Sequence, residues 1–128
     1  MIEIPFPPQK YNYISVRGFL YRHSKRVLVN FLVDTGASTT MIDPRIMESI
    51  GYTKTCEEHI GPASVSSPAG TETGYRVKTQ KLLIFSPECI MTGIDIVCIR
   101  PEKNVEALLG LNILSHFHYC IDHKHHLL

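Results

Sequence analysis

From Val27 to Val33 the chain is apolar on both of its alternating faces, with Val27, Val29, Phe31 and Val33 on one and Leu28 and Leu32 on the other. Such a stretch reads as a strand buried on both sides. It runs without a break into Asp34-Thr35-Gly36, so a carboxylate stands at the end of a buried strand. Burying a charge without partners is costly, and Asp34 must therefore be hydrogen-bonded, paired with another group or kept protonated. The residues that follow suit this need. Gly36 admits backbone amides close to the carboxylate, Thr35 offers a hydroxyl, and Ala37 and Ser38 are small enough to leave space beside it. Taken alone, Asp-Thr-Gly more often marks only an Asx-type turn between two strands.

The chain has 128 residues, of which 44% are hydrophobic and 20% charged, the composition of a single globular domain. At this length roughly two-thirds of the unfolded surface can be buried, enough for one core and too little for two lobes with a cleft between them. Any two-walled active site must then come from oligomerisation. Thirteen basic residues stand against twelve acidic ones for a net charge of +1, with no Lys/Arg block. Neither nucleic acid nor an anionic membrane is an expected partner.

The start, Met1-Ile2-Glu3-Ile4-Pro5-Phe6-Pro7-Pro8, has an acid and three prolines where a secretion signal would have a basic stretch and an apolar run. Val27–Val33 is far shorter than the roughly 20 residues that span a bilayer. Cys56, Cys89, Cys98 and Cys120 form no CxxC pair. The expectation is a cytoplasmic protein with four reduced thiols and no metal or other cofactor.

Along the chain, Tyr11–Leu20 alternates as a strand, and Arg22–Arg26 reads as its connection to Val27–Val33. Asp43-Pro44 opens a short helix that places Ile46, Met47 and Ile50 inward and stops at Gly51. A long hairpin is predicted, with arms Glu58–Val65 and Thr73–Phe85 around Ser66-Ser67-Pro68-Ala69-Gly70. Further strands follow at Cys89–Ile99 and Val105–Leu109. Asn112 is placed as the cap of a last short helix, and Tyr119–Leu128 as a closing strand. Tyr11, Tyr13 and Tyr75 read as half-buried strand residues, and Glu57-Glu58 as a solvated edge. The sum is a mostly β, mostly antiparallel domain, barrel-like or sandwich-like, with one or two short helices.

Leu32-Val33-Asp34-Thr35-Gly36-Ala37-Ser38 is joined downstream by Leu108-Leu109-Gly110, by Leu111-Asn112-Ile113-Leu114-Ser115-His116-Phe117, and by Cys120-Ile121-Asp122. In this order and spacing the chain resembles the retropepsin-like family of aspartic peptidases, the single-domain enzymes of retroviral type and their cellular relatives. The resemblance covers residues 11–128 and leaves out the proline-rich lead, residues 1–10. It implies an acid-protease barrel whose active site forms at a homodimer interface. It also implies that Asp34 is half of a catalytic dyad completed by Asp34 of a second copy, for no second Asp-Ser/Thr-Gly exists in the chain.

By the same resemblance, Thr35, Gly36, Ala37 and Ser38 support the dyad and Leu108, Leu109 and Gly110 pack behind its loop. Pro68, Ala69, Gly70 and Thr71 take the place of a flap that closes over an extended peptide. Ile42, Val65 and Val97 are candidates equally for pocket walls and for ordinary core. The implied activity is hydrolysis of internal peptide bonds in protein or peptide substrates. A catalytically silent module that only dimerises or holds a peptide is the alternative. Five of the seven histidines fall at His116, His118, His123, His125 and His126, without the spacing of a metal site. Their protonation around pH 6.5 is expected to weaken a dimer if the tail lies near its axis.

Overall fold

The computed structural model describes residues 14–68, 70–84, 89–102 and 104–116. Strands β1 (Ser15–Arg22) and β2 (Lys25–Val33) form a hairpin whose turn is only His23-Ser24, shorter than the predicted connection. His23 adopts φ 55 in that turn and its amide is held by the Gln80 side chain at 2.8 Å. On β2 the inward positions Val29 and Phe31 are fully buried. The opposite face departs from the prediction of two-sided burial, because Leu28 is 45% exposed and Asn30 is exposed as well.

Strand β3 (Thr40–Ile42) leads into helix α1 (Pro44–Ser49). The Asp43 side chain accepts from the Arg45 amide at 2.9 Å, Pro44 occupies the first turn, and Gly51 takes φ +99 beyond the C-terminus, as the sequence predicts. Met47 and Ile50 are buried, and Ile46 packs against the core.

Strands β4 (His59–Ser67) and β5 (Gly70–Lys78) make the expected hairpin. Its second arm ends at Lys78 instead of continuing to Phe85. The Thr79 amide and hydroxyl both bond to the Ile94 carbonyl, and the Gln80 amide bonds to the Tyr52 hydroxyl at 2.9 Å. These bonds take two residues out of the ladder, and the chain re-enters as β6 (Lys81–Ile84) against β1. The predicted strand at 89–99 is likewise split, at Gly93 with φ +65, into β7 (Ile90–Met91) and β8 (Asp95–Cys98). Strand β9 (Ala107–Leu109) and helix α2 (Leu111–Leu114) complete the described chain. The Ser86–Glu88 turn and the closing strand at 119–128 lie outside the described residues.

The strands form one nine-stranded sheet in the order β4-β5-β8-β3-β9-β2-β1-β6-β7. Most neighbours are antiparallel, but β2–β9 and β3–β8 are parallel. Val77 from β5 and Leu82 from β6 share one core cluster with Leu20, Val29 and Ile96, so the sheet curls around a single interior. Tyr52, fully buried, fixes the curl: its hydroxyl donates to the Tyr21 carbonyl at 2.6 Å, and its carbonyl accepts from the Tyr75 hydroxyl at 3.0 Å. Tyr75 is thus buried rather than half-buried, and burial raises its hydroxyl pKa. Glu58 is not a solvated edge either. Its carboxylate takes the Arg22 guanidinium at 2.8 Å, with the two side chains 10% and 20% exposed.

Candidate active site

Asp34 lies where β2 leaves the sheet. The chain does not turn directly from β2 into β3; residues 34–39 pass over the end of β9, which is inserted between these two strands, parallel to β2 and antiparallel to β3. The pairs Phe31↔Ala107, Leu32↔Leu108 and Val33↔Leu109 bring the ends of β2 and β9 level. Two segments therefore meet at one place, the loop 34–39 after β2 and, after β9, Gly110 with the first turn of α2.

Backbone hydrogen bonds join them. The Asp34 amide donates to the Leu109 carbonyl at 3.0 Å, the Leu111 amide to Ala37 at 2.8 Å, and the Asn112 amide to Ser38 at 3.1 Å. Within the first loop the Ala37 amide reaches back to the Asp34 carbonyl at 3.2 Å, and the Gly36 amide donates to Asp34 Oδ1 at 2.9 Å. Gly110 is where the two segments touch. A Cβ there would stand 2.6 Å from the Thr39 carbonyl carbon and 2.7 Å from its oxygen, backbone atoms with little freedom to yield.

Beneath this junction, buried Thr40 donates its amide and its hydroxyl to Asn112 Oδ1, each at 2.8 Å, and accepts the Gly110 amide at 3.0 Å. The Asn112 side-chain amide donates to the Asp95 carbonyl at 2.8 Å. Asn112 is therefore inside α2 and not its cap; the N-cap position is Gly110, without a side-chain bond. Thr40 and Asn112 hold the Asp34 loop in place. A Thr and an Asn carry no signal in sequence that would single them out for this.

The predicted site residues are distributed as follows. Asp34 is half-exposed, Thr35, Gly36 and Ser38 are exposed, and Ala37 is half-buried. Leu109 and Gly110 are buried and Leu108 half-buried, all contiguous with the Asp34 loop. Pro68 stands in the hairpin turn, and Gly70 and Thr71 begin β5, with the Thr71 hydroxyl 3.3 Å from that of Ser66. Ala69 lies outside the described residues. The hairpin is separated from β2 by β8, β3 and β9 in the sheet order. β5 and the segment 100–102 line a cleft of about 360 Å³ with Glu72, Arg100, Pro101 and Glu102. Ile42 is fully buried core, not a pocket wall, whereas Val65 and Val97 are half-buried.

Among the described residues Asp34 has no ion pair, while Asp43 is paired with Arg45 and Asp95 with Arg76. Arg45 holds the Asp43 carboxyl below the usual carboxylate range, chiefly through its side-chain hydrogen bond. His116 is exposed just past α2; the other tail histidines lie outside the described residues. Among the described residues no three His, Cys, Asp or Glu side chains cluster as metal ligands, and no helix is long and apolar enough to cross a membrane.

The family described as "gag-polyprotein putative aspartyl protease" matches residues 24–116, a span that holds the Asp34 loop, the hairpin and the β9–α2 junction. The chain belongs to the retropepsin-like aspartyl protease family. This retropepsin-like chain is 34% identical over 98 residues to DNA damage-inducible protein 1 of Neurospora crassa, a match covering 73% of the chain and 20% of that protein. It thus spans about a fifth of that relative's length. The retropepsin-like fold is shared with a crystal structure of a retropepsin-like aspartic protease from Rickettsia conorii, at a TM-score of 0.75 and 18% identity, over 100% of this chain and 99% of that one.

Proposed function

We propose that this retropepsin-like chain is one half of a homodimeric aspartic endopeptidase that cleaves internal peptide bonds in extended polypeptides. The observation that carries the reading is the placement of Asp34. Its carboxyl is half-exposed on a loop clamped from behind by β9, with one oxygen on the Gly36 amide and no cation beside it among the described residues. A second copy related by a twofold axis supplies the other carboxyl from its own Asp34.

Two carboxyls about 3 Å apart cannot both ionise, so they share one proton. The ionised member takes a proton from a water held between them as that water attacks the scissile carbonyl. The protonated member gives its proton to the developing oxyanion, so the tetrahedral diol forms with one proton still on the pair; that proton passes to the amine nitrogen as the C–N bond breaks, and a diol hydroxyl returns one to the pair. Neither a metal nor a covalent intermediate is required. Thr35, whose exposed hydroxyl has no partner among the described residues, braces the pair across the axis. Gly36 orients the carboxylate. Pro68, Ala69, Gly70 and Thr71 close over the substrate as a flap, and Leu108, Leu109 and Gly110 support the loop from behind.

The test is cleavage of a peptide library by the wild type and by Asp34→Asn, read by mass spectrometry from about pH 4 to 7, with sedimentation in the same buffers. Cleavage by the wild type alone, rising with dimer fraction, supports the peptidase. Silence from a confirmed dimer overturns it in favour of a module that only binds.

A further inference from the structure

The outer face of the other half of the sheet has no part in that reaction. Residues in direct cross-strand register point to the same side of a sheet. The pairs Phe19↔Leu28, Phe19↔Leu83 and Leu83↔Ile90 therefore form one continuous row, Leu28–Phe19–Leu83–Ile90, across β2, β1, β6 and β7. With neighbouring strands about 4.8 Å apart, the row is about 14 Å long. Its two ends stand well out of the protein, Leu28 at 45% and Ile90 at 54% exposed, and Phe19 and Leu83 are half-buried.

One residue pair along the strands lies a parallel row, Arg26–Tyr21–Lys81, and on the other side of Phe19 stands Arg17. Among the described residues none of Arg17, Arg26 and Lys81 has a carboxylate partner, in contrast to Arg22, Arg45 and Arg76. Among the described residues no acidic side chain shares the Phe19 and Tyr21 rows; the row of Arg17 continues to Asn30, whose amide donates to the exposed Glu106 carboxylate at 3.1 Å. The face is an apolar bar edged by cations that have no ion pair among the described residues, on a protein whose net charge is only +1.

From this pattern we propose that the face docks a short acidic-apolar peptide segment of a partner protein, whose apolar side chains lie along Leu28–Phe19–Leu83–Ile90 and whose carboxylates meet Arg26, Lys81 and Arg17. Charge complementarity selects this occupant. A second copy of the chain placed here by a twofold axis would set the three cations against themselves. Single-stranded nucleic acid, which also favours basic and aromatic surfaces, needs open ring faces on which bases stack. Here the Arg26 guanidinium already covers the Phe19 ring at 4.6 Å and the Lys81 ammonium covers Tyr21 at 4.2 Å. The remaining apolar area is aliphatic.

The experiment uses fluorescently labelled peptides in which Leu or Phe alternates with Glu or Asp, the same set with Lys replacing the acids, and a single-stranded oligonucleotide. Anisotropy is read at low and raised salt for the wild type, for Arg26→Glu/Lys81→Glu and for Leu28→Ser. Members of the acidic set bind the wild type, lose affinity with salt, and bind each variant at least about tenfold more weakly, while cleavage activity and thermal midpoint stay unchanged. In the wild type, amide resonances of Tyr21, Leu28 and Ile90 shift on titration. Binding of no acidic member, equal binding of the Lys set, or affinity unaltered by both variants overturns the proposal. Oligonucleotide binding that the double variant abolishes, without peptide binding, overturns it in favour of a nucleic-acid surface.

Discussion

The side-chain oxygen of Asn112 accepts both the amide and the hydroxyl of Thr40, a residue 72 positions earlier, at 2.8 Å each. Through this pair the start of β3 and helix α2 become one unit. Because the Gly110 amide rests on the same hydroxyl, the loop that carries Asp34 inherits its rigidity.

Asn112→Leu leaves the Thr40 amide and the Thr40 hydroxyl proton without an acceptor and takes the Asn112 donor from the Asp95 carbonyl, in a partly buried place. The expected loss is about 3 kcal/mol of stability in urea unfolding. Asn112→Asp keeps the acceptor and loses only the donor to Asp95, so it retains more stability than Asn112→Leu. Equal losses would show that the shared acceptor is not what holds the junction.

Gly110→Ala is expected to be costly for a reason unrelated to backbone conformation, since Gly110 sits at φ −98. Its new methyl group meets the Thr39 backbone at 2.6 Å, and overpacking of this kind costs about 1–3 kcal/mol. Gly93→Ala, at φ +65 with nothing within 4 Å of the added carbon, tests strain alone. Thermal unfolding compares the two, and only Gly110→Ala is expected also to lower cleavage.

Asp43 gives an acid-side stability signature. The Arg45 side-chain hydrogen bond lowers its carboxyl pKa below the ordinary 3.8. A carboxyl depressed on folding adds stability that is complete above its unfolded value and is lost as pH falls through its folded value. Stability should therefore drop below about pH 3.8 in the wild type, and less steeply in Asp43→Asn, which keeps a capping oxygen for the Arg45 amide. Urea midpoints from pH 5 to 2 measure the difference.

The thiols should divide by burial. Desolvation pushes the Cys98 thiol up to about 12, whereas Cys56 is only half-buried. In Ellman's reagent at pH 8, Cys56 reacts in the native protein and Cys98 reacts only after unfolding. Fast native modification of Cys98 would contradict its packing between β5 and β3.

If the dyad is shared between two copies, specific activity falls on dilution as dimers dissociate, while the far-ultraviolet circular dichroism of the monomer changes little. A cleavage rate strictly proportional to protein concentration across the dissociation range would contradict a shared site.

Much of the local architecture is legible in the sequence because it depends on neighbouring residues. Asp43-Pro44 caps and starts α1, Gly51 stops it, and the alternation around Phe31 sets the inner face of β2. The exposure of the outer face of β2 was not legible, since its apolar run predicts burial on both sides. The apolar outer residue Leu28 belongs to an exposed row that appears only when β1, β6 and β7 are laid beside it. The break between β5 and β6 is equally non-local, since Thr79 and Gln80 answer to Ile94 and Tyr52.

The family, the mostly β composition and Asp34 as the candidate acid can all be read along the chain. Apolar strand, acid, small loop residues and the Leu108-Leu109-Gly110 element are local patterns whose order survives in one dimension. It took the folded arrangement to bring β9 between β2 and β3, to clamp the loop with Thr40 and Asn112, to pair part-buried Glu58 with Arg22 and to bury Tyr75 against the Tyr52 carbonyl. Those outcomes depend on which buried donor finds which acceptor across tens of residues. An unpaired polar group in the interior is too costly to leave unresolved, and its partner is chosen by packing rather than by proximity along the chain.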